Sequence, residues 1–138
     1  MSYISSRASQ ADVSDGVEDG VINLSFYRNH TVYISLDKKM IGITTDLNEL
    51  RVGETYCIVV QQDKKGKRKV LFDAAYAENL WSKLSKNPEA QTNPFTFVGA
   101  PQISLEPGSI SMVSCLCISG ANGKQLLCSV ASGFPGKE

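Results

Sequence analysis

Residues 50–73, LRVGETYCIVVQQDKKGKRKVLFD, limit the folds open to this chain more than any other stretch. Residues 55–61 and 69–72 are built largely of Val, Ile, Tyr, Phe and Cys. These β-branched, aromatic and small apolar types suit a pleated, half-buried surface. Between the two runs, Asp63, Lys64, Lys65, Gly66, Lys67 and Arg68 set one Gly among five charges, the composition of a solvated turn. The expected unit is a β-hairpin with a basic tip. Gly53 ahead of it allows a sharp bend that a side chain would resist.

The preceding residues repeat the pattern. Ile22, Leu24 and Phe26 alternate with Asn23 and Ser25, and Val32, Ile34 and Leu36 alternate with Tyr33 and Ser35. Alternation of this kind marks half-buried strands. Arg28-Asn29-His30 and Asp37-Lys38-Lys39 supply the turns. Residues 40–44 read as a third strand, in which Gly42 predicts a bulge or tight bend. Residues 46–50, headed by Asp46, are long enough for one helical turn. Five short antiparallel strands with a helical turn between the third and fourth match the five-stranded Greek-key barrel, the OB-fold. Closure would remove the edges that such apolar strands otherwise expose.

The same residues carry a resemblance. Leu50-Arg51-Val52-Gly53-Glu54, an alternating strand, a Lys/Gly turn and a short strand resemble the closing hairpin of the RNA-binding OB domain named after ribosomal protein S-one. Gly20-Val21-Ile22 resembles that family's opening Gly-x-Val. His30 to Leu36 is similar to its second strand, with aromatics at the first and fourth positions. Residues 40–47 fall where its third strand would lie, although Ile43 stands where the family commonly has a histidine. The resemblance covers about residues 20–73 and implies single-stranded RNA as the ligand.

Outside this core, residues 1–16 are rich in Ser, Ala and Asp and are expected to form a flexible arm. Residues 74–86 change period. Tyr76, Leu80 and Leu84, flanked by Ala77 and Trp81, fall on one face of a helix. Asp73 can cap that helix and Asn87-Pro88 can stop it. Residues 95–98 and 103–105 read as short strands. Residues 110–118 and 125–130 read as a hairpin around Asn122-Gly123. Leu105-Glu106-Pro107-Gly108 and Gly123-Lys124 echo Leu50 to Gly53 and Gly66-Lys67. The echo fits either a truncated second OB-like unit or a simple hairpin. The expected organisation is an arm (1–16), a barrel (17–73), a helix (74–86) and a C-terminal β extension (87–138).

Equal numbers of cationic and acidic side chains give zero net charge, so any binding to nucleic acid must come from a local patch. There is no apolar leader at the start and no run long enough to span a membrane, so an intracellular address, cytoplasm or nucleus, is expected. Cys57, Cys115, Cys117 and Cys128 lie in apolar runs without a Cys-x-x-Cys pair, far in sequence from the single histidine, His30. They read as reduced, small hydrophobes and not as metal ligands. The Asn-x-Ser/Thr matches at Asn23 and Asn29 read as chance. No Gly-x-Ser-x-Gly, Walker loop or Gly-x-Gly-x-x-Gly occurs, so neither an enzyme nor a cofactor is expected.

In OB-folds the ligand crosses strands two and three between the flanking loops. That rule selects Arg28, His30, Tyr33, Lys64, Lys65, Lys67, Arg68 and Lys69 as the nucleic-acid site. The cations would meet phosphates and Tyr33 would stack on a base. Tyr76, Trp81 and Leu84 are the expected contacts to a protein partner. The function so read is a non-catalytic subunit of a larger complex that binds single-stranded nucleic acid, RNA before DNA. The alternative is a protein-interaction scaffold with no nucleic-acid role.

Overall fold

Where a strand alternates it has one apolar face, and two such faces are buried when two sheets stack. The computed structural model describes residues 10–18, 20–26, 29–72, 95–99, 101–121 and 123–136. Among them are strands β1 (Ala11–Asp12), β2 (Val17–Glu18), β3 (Val21–Leu24), β4 (Thr31–Ser35) and β5 (Met40–Thr45). They are followed by β6 (Thr55–Gln61), β7 (Lys69–Leu71), β8 (Phe95–Phe97), β9 (Ile110–Gly120) and β10 (Gly123–Phe134). One sheet has the order β1-β4-β6-β9-β10-β8 and the other β2-β3-β5-β7. The protein is mainly β, and both sheets are open.

From β3 to β7 the chain changes sheet at every connection. Strands that return to the same sheet therefore lie parallel: β3, β5 and β7 in one, β4 and β6 in the other. β9 then adds antiparallel to β6, with Val113 opposite Ile58, and β10 folds back on β9. The C-terminal third thus belongs to the same sandwich. Ile22, Leu24, Ile41 and Ile43 of the smaller sheet are buried, as are Val32, Ile34, Ile58 and Val113 of the larger. At one margin, Phe72 lies edge-on to Phe95 and Phe97, with ring centroids 5.4 and 5.0 Å apart.

The closed barrel is overturned. Its supposed closing hairpin does not exist, because β6 and β7 lie in different sheets. A period-two pattern says which face of a strand is buried; it does not say which strand lies alongside. The seven-residue connection 62–68 crosses the end of the sandwich instead of turning back. Gly42 shows no bulge, since it stays in unbroken register with Val21 and Leu71. Residues 103–105 are irregular.

The helix expected at 74–86 lies outside the described residues. Among the described residues, helical structure is confined to two 3-10 turns, Ser14–Gly16 and Leu47–Glu49. The second is the turn expected after Asp46, whose Oδ1 accepts the Asn48 N–H at 2.9 Å. Residues 11–16 are not a free arm. β1 pairs with β4, and the Val13 N–H donates to the Tyr33 carbonyl at 3.0 Å. No helix among the described residues is long and apolar enough to cross a membrane.

The centre of the core can be tested mildly. Ile58 and its cross-strand neighbours Val32 and Val113 are each 0% exposed. Ile58→Val removes one methyl group there and should cost about 1 kcal/mol. A lowered urea midpoint with an unchanged slope checks this.

Candidate functional site

The 62–68 connection is held rigidly by its own side chains. Gln62 is buried, and its Nε2 donates to the carbonyls of Arg68 (2.7 Å) and Ser104 (3.0 Å). Its Oε1 accepts the Arg68 N–H at 3.0 Å. Asp63 organises the turn: Oδ1 accepts the N–H groups of Lys65 and Gly66, and Oδ2 accepts Arg68 Nε (3.1 Å) and Nη2 (2.8 Å). The Arg68 guanidinium holds the Asp63 carboxyl below the ordinary aspartate value. Stability from that lowering is complete above the ordinary range and is lost as pH falls through the lowered value. Arg68 is thus committed to structure. Lys64, Lys65 and Lys67 are exposed, although the Lys67 N–H is tied to the Leu105 carbonyl at 2.8 Å.

A second basic turn joins them. β5 and β7 run parallel with Met40 opposite Lys69, and the Lys69 N–H donates to the Lys39 carbonyl at 3.1 Å. Lys38 and Lys39 are thereby carried to the end of the sandwich that bears Lys64, Lys65, Lys67 and Lys69. Among the described residues, these six and Arg68 make seven cations at an end that also carries Asp37, Asp63 and Glu106, a local excess of four on a chain of zero net charge. Among the described residues, Lys38 pairs with Asp37 at 3.9 Å and Arg68 with Asp63, whereas Lys39, Lys64, Lys65, Lys67 and Lys69 form no ion pair. Sequence reasoning missed Lys38 and Lys39. Their signal was a pair of lysines at a strand start, which gains meaning only through the β5–β7 register.

Beside this end lies a mostly apolar groove of about 460 Å³, bounded by Lys69, Leu71, Phe72, Pro101, Ile103 and Leu105. That volume is within the range of small-ligand sites. It lies along β7, the last strand of its sheet among the described residues, and Leu105 is 43% exposed. Tyr33 is half-buried, with its hydroxyl donating to Gln61 Oε1 at 2.6 Å. Gln61 leads directly into the basic connection, so Tyr33 borders this end.

His30 does not. It precedes β4, whereas the lysines follow the far ends of β4 and β6, which run parallel. At about 3.3 Å per residue, five residues of strand separate the two ends by roughly 15 Å. His30 Nε2 lies 3.2 Å from Glu54 Oε2, and its ring centroid is 5.0 Å from that of Tyr56. The Tyr56 hydroxyl accepts the Arg51 N–H at 2.9 Å and donates to Glu54 Oε2 at 3.2 Å. Burial pushes the Tyr56 phenol up from its ordinary value. This polar pocket, also bordered by Asn48 and Glu49, has a volume of about 490 Å³. Tyr56→Phe should cost about 1 kcal/mol in thermal unfolding while leaving nucleic-acid affinity unchanged.

Arg28, Tyr76, Trp81 and Leu84 lie outside the described residues. Among the described residues, no group of three or more His, Cys, Asp and Glu could hold a metal ion. Comparison with protein-family models, curated proteins and solved structures finds no match to this chain.

Proposed function

We propose that this protein is a non-catalytic subunit that binds single-stranded nucleic acid at the lysine end of the sandwich. One observation carries the reading: the parallel β5–β7 register joins two lysine-bearing turns, far apart in sequence, into one patch. Ammonium groups are compact point charges suited to phosphate oxygens without regard to base identity. The adjoining apolar groove offers a place for an unpaired base, and base contacts of this kind are worth roughly 1–3 kcal/mol each. A base held in a duplex could not enter it.

The test is a fluorescence-anisotropy titration of labelled oligouridylate and oligothymidylate at rising salt. Six phosphate contacts predict a slope of about −4 in log affinity against log salt. Comparing the two oligonucleotides separates RNA from DNA. A second reading, a protein-interaction scaffold, is favoured by the outward face of the larger sheet. There Leu116 and Leu127, directly opposite one another, are 38% and 40% exposed. No binding to either oligonucleotide at low salt would leave that reading ahead.

A further inference from the structure

We propose that Cys115 and Cys128 form a modification site, a thiol pair that a hydroperoxide converts into a cross-strand disulfide inside the β9–β10 hairpin. The two residues stand directly opposite one another in the antiparallel register, with sulfurs 3.1 Å apart. Their pairing is of the close type. The Cys117 N–H donates to the Glu54 carbonyl and its own carbonyl accepts the Gly53 N–H, so Cys117 turns its backbone polar groups away from β10. By the period of two, Cys115 does the same. The Cys128 carbonyl accepts the Val98 N–H, on the side of β8. Both cysteines therefore face away from each other through their backbones, the non-hydrogen-bonded arrangement that brings side chains nearest. The sulfurs need to close by only about 1 Å to reach a disulfide bond length.

The other thiols are placed differently. Cys117 is opposite Leu126, and Cys57 is opposite Ser114, so neither faces a cysteine across a strand pair. Within the pair the roles divide. The hydrogen-bonded contact between the two sulfurs, and more weakly the Thr96 backbone, lower the Cys128 thiol from its ordinary value, while the same contact and burial push Cys115 up. Cys128 lies beside β8, three residues long and the last strand of its sheet among the described residues, so it is the thiol nearer the sheet margin and acts as the first nucleophile. Its thiolate attacks the terminal peroxide oxygen, the O–O bond breaks, and a sulfenic acid forms. The departing oxygen takes up the proton that the Cys128 thiol gave up, leaving as water from hydrogen peroxide or as an alcohol from an organic hydroperoxide. The Cys115 sulfur then attacks the Cys128 sulfur, the S–O bond breaks, and the hydroxide leaves as water with the Cys115 proton. Two electrons pass from the two sulfurs to the peroxide.

The test treats the full chain with a small excess of hydrogen peroxide, then unfolds it and titrates its thiols. Titratable thiols should fall from four to two, with a mass loss of two hydrogens. Trypsin cuts after Lys124, between the two cysteines, and should leave a linked peptide pair that dithiothreitol separates. The doubly substituted Cys57→Ala, Cys117→Ala chain keeps only the pair and should give the same linked peptides, with Tm raised by several degrees. Cys115→Ser should abolish the linkage. A linkage through Cys57 or Cys117, or both thiols of the doubly substituted chain remaining free after the treatment, would overturn the proposal.

Discussion

Changing Lys64, Lys65, Lys67 and Lys69 together to Glu is expected to remove measurable binding of oligouridylate at 50 mM salt. Each lost phosphate contact on a single strand flattens the salt slope by about 0.7, so four lower it by about 3. The corresponding loss of affinity is on the order of 100-fold or more, before counting repulsion from the new carboxylates. The fold should survive. All four side chains are exposed and, among the described residues, make no ion pair, and surface changes of this type usually stay within about 0.5 kcal/mol each. Arg51→Ala, at the opposite end beside His30 and Glu54, should leave affinity unchanged. Equal binding by the charge-reversed and original chains would remove the lysine end from the function.

Gly66→Ala should have the largest effect on stability of any single methyl addition in the basic connection. Gly66 has φ +67°, a conformation that costs a residue with a Cβ roughly 1 kcal/mol or more. An added Cβ would lie 2.7 Å from the Leu105 carbonyl oxygen and 2.9 Å from the Pro107 nitrogen. Both are backbone atoms, so no side-chain rotation relieves the clash, and the two loops must separate. A total loss of about 3 kcal/mol follows, or a fall in Tm on the order of 10 °C by circular dichroism. Nucleic-acid affinity should fall too, even at temperatures where the variant is folded, because the Lys67 N–H would leave the Leu105 carbonyl. A change below about 0.5 kcal/mol would show that the two loops do not meet as described.

These two variants differ in how far the sequence alone could lead to them. The lysines of 64–69 and the strands β4, β6, β9 and β10 were legible, because alternation and a Gly among charges report burial and exposure directly. The pairing of those strands was not. Val32, Ile58 and Val70 announce buried faces, yet the same faces would serve a barrel, a hairpin or two stacked sheets. The alternation of sheets from β3 to β7 is a long-range choice that leaves no local mark. Grouping His30 with the lysines followed from the barrel, and the parallel β4–β6 register separates them. Lys38, Lys39 and the groove were hidden for the same reason. Lys39 meets Lys69 through the β5–β7 register, and the groove is assembled from residues 69–72 and 101–105.

The location of the bound strand is most directly read by titrating nitrogen-15-labelled protein with oligouridylate at low salt and following the backbone amides. Binding at the lysine end predicts progressive shifts at Lys38, Lys39, Lys64, Lys65, Lys67, Lys69 and Leu105, with His30, Arg51 and Glu54 unmoved. Shifts gathered around His30 and Glu54, or a spectrum that does not change, would contradict it.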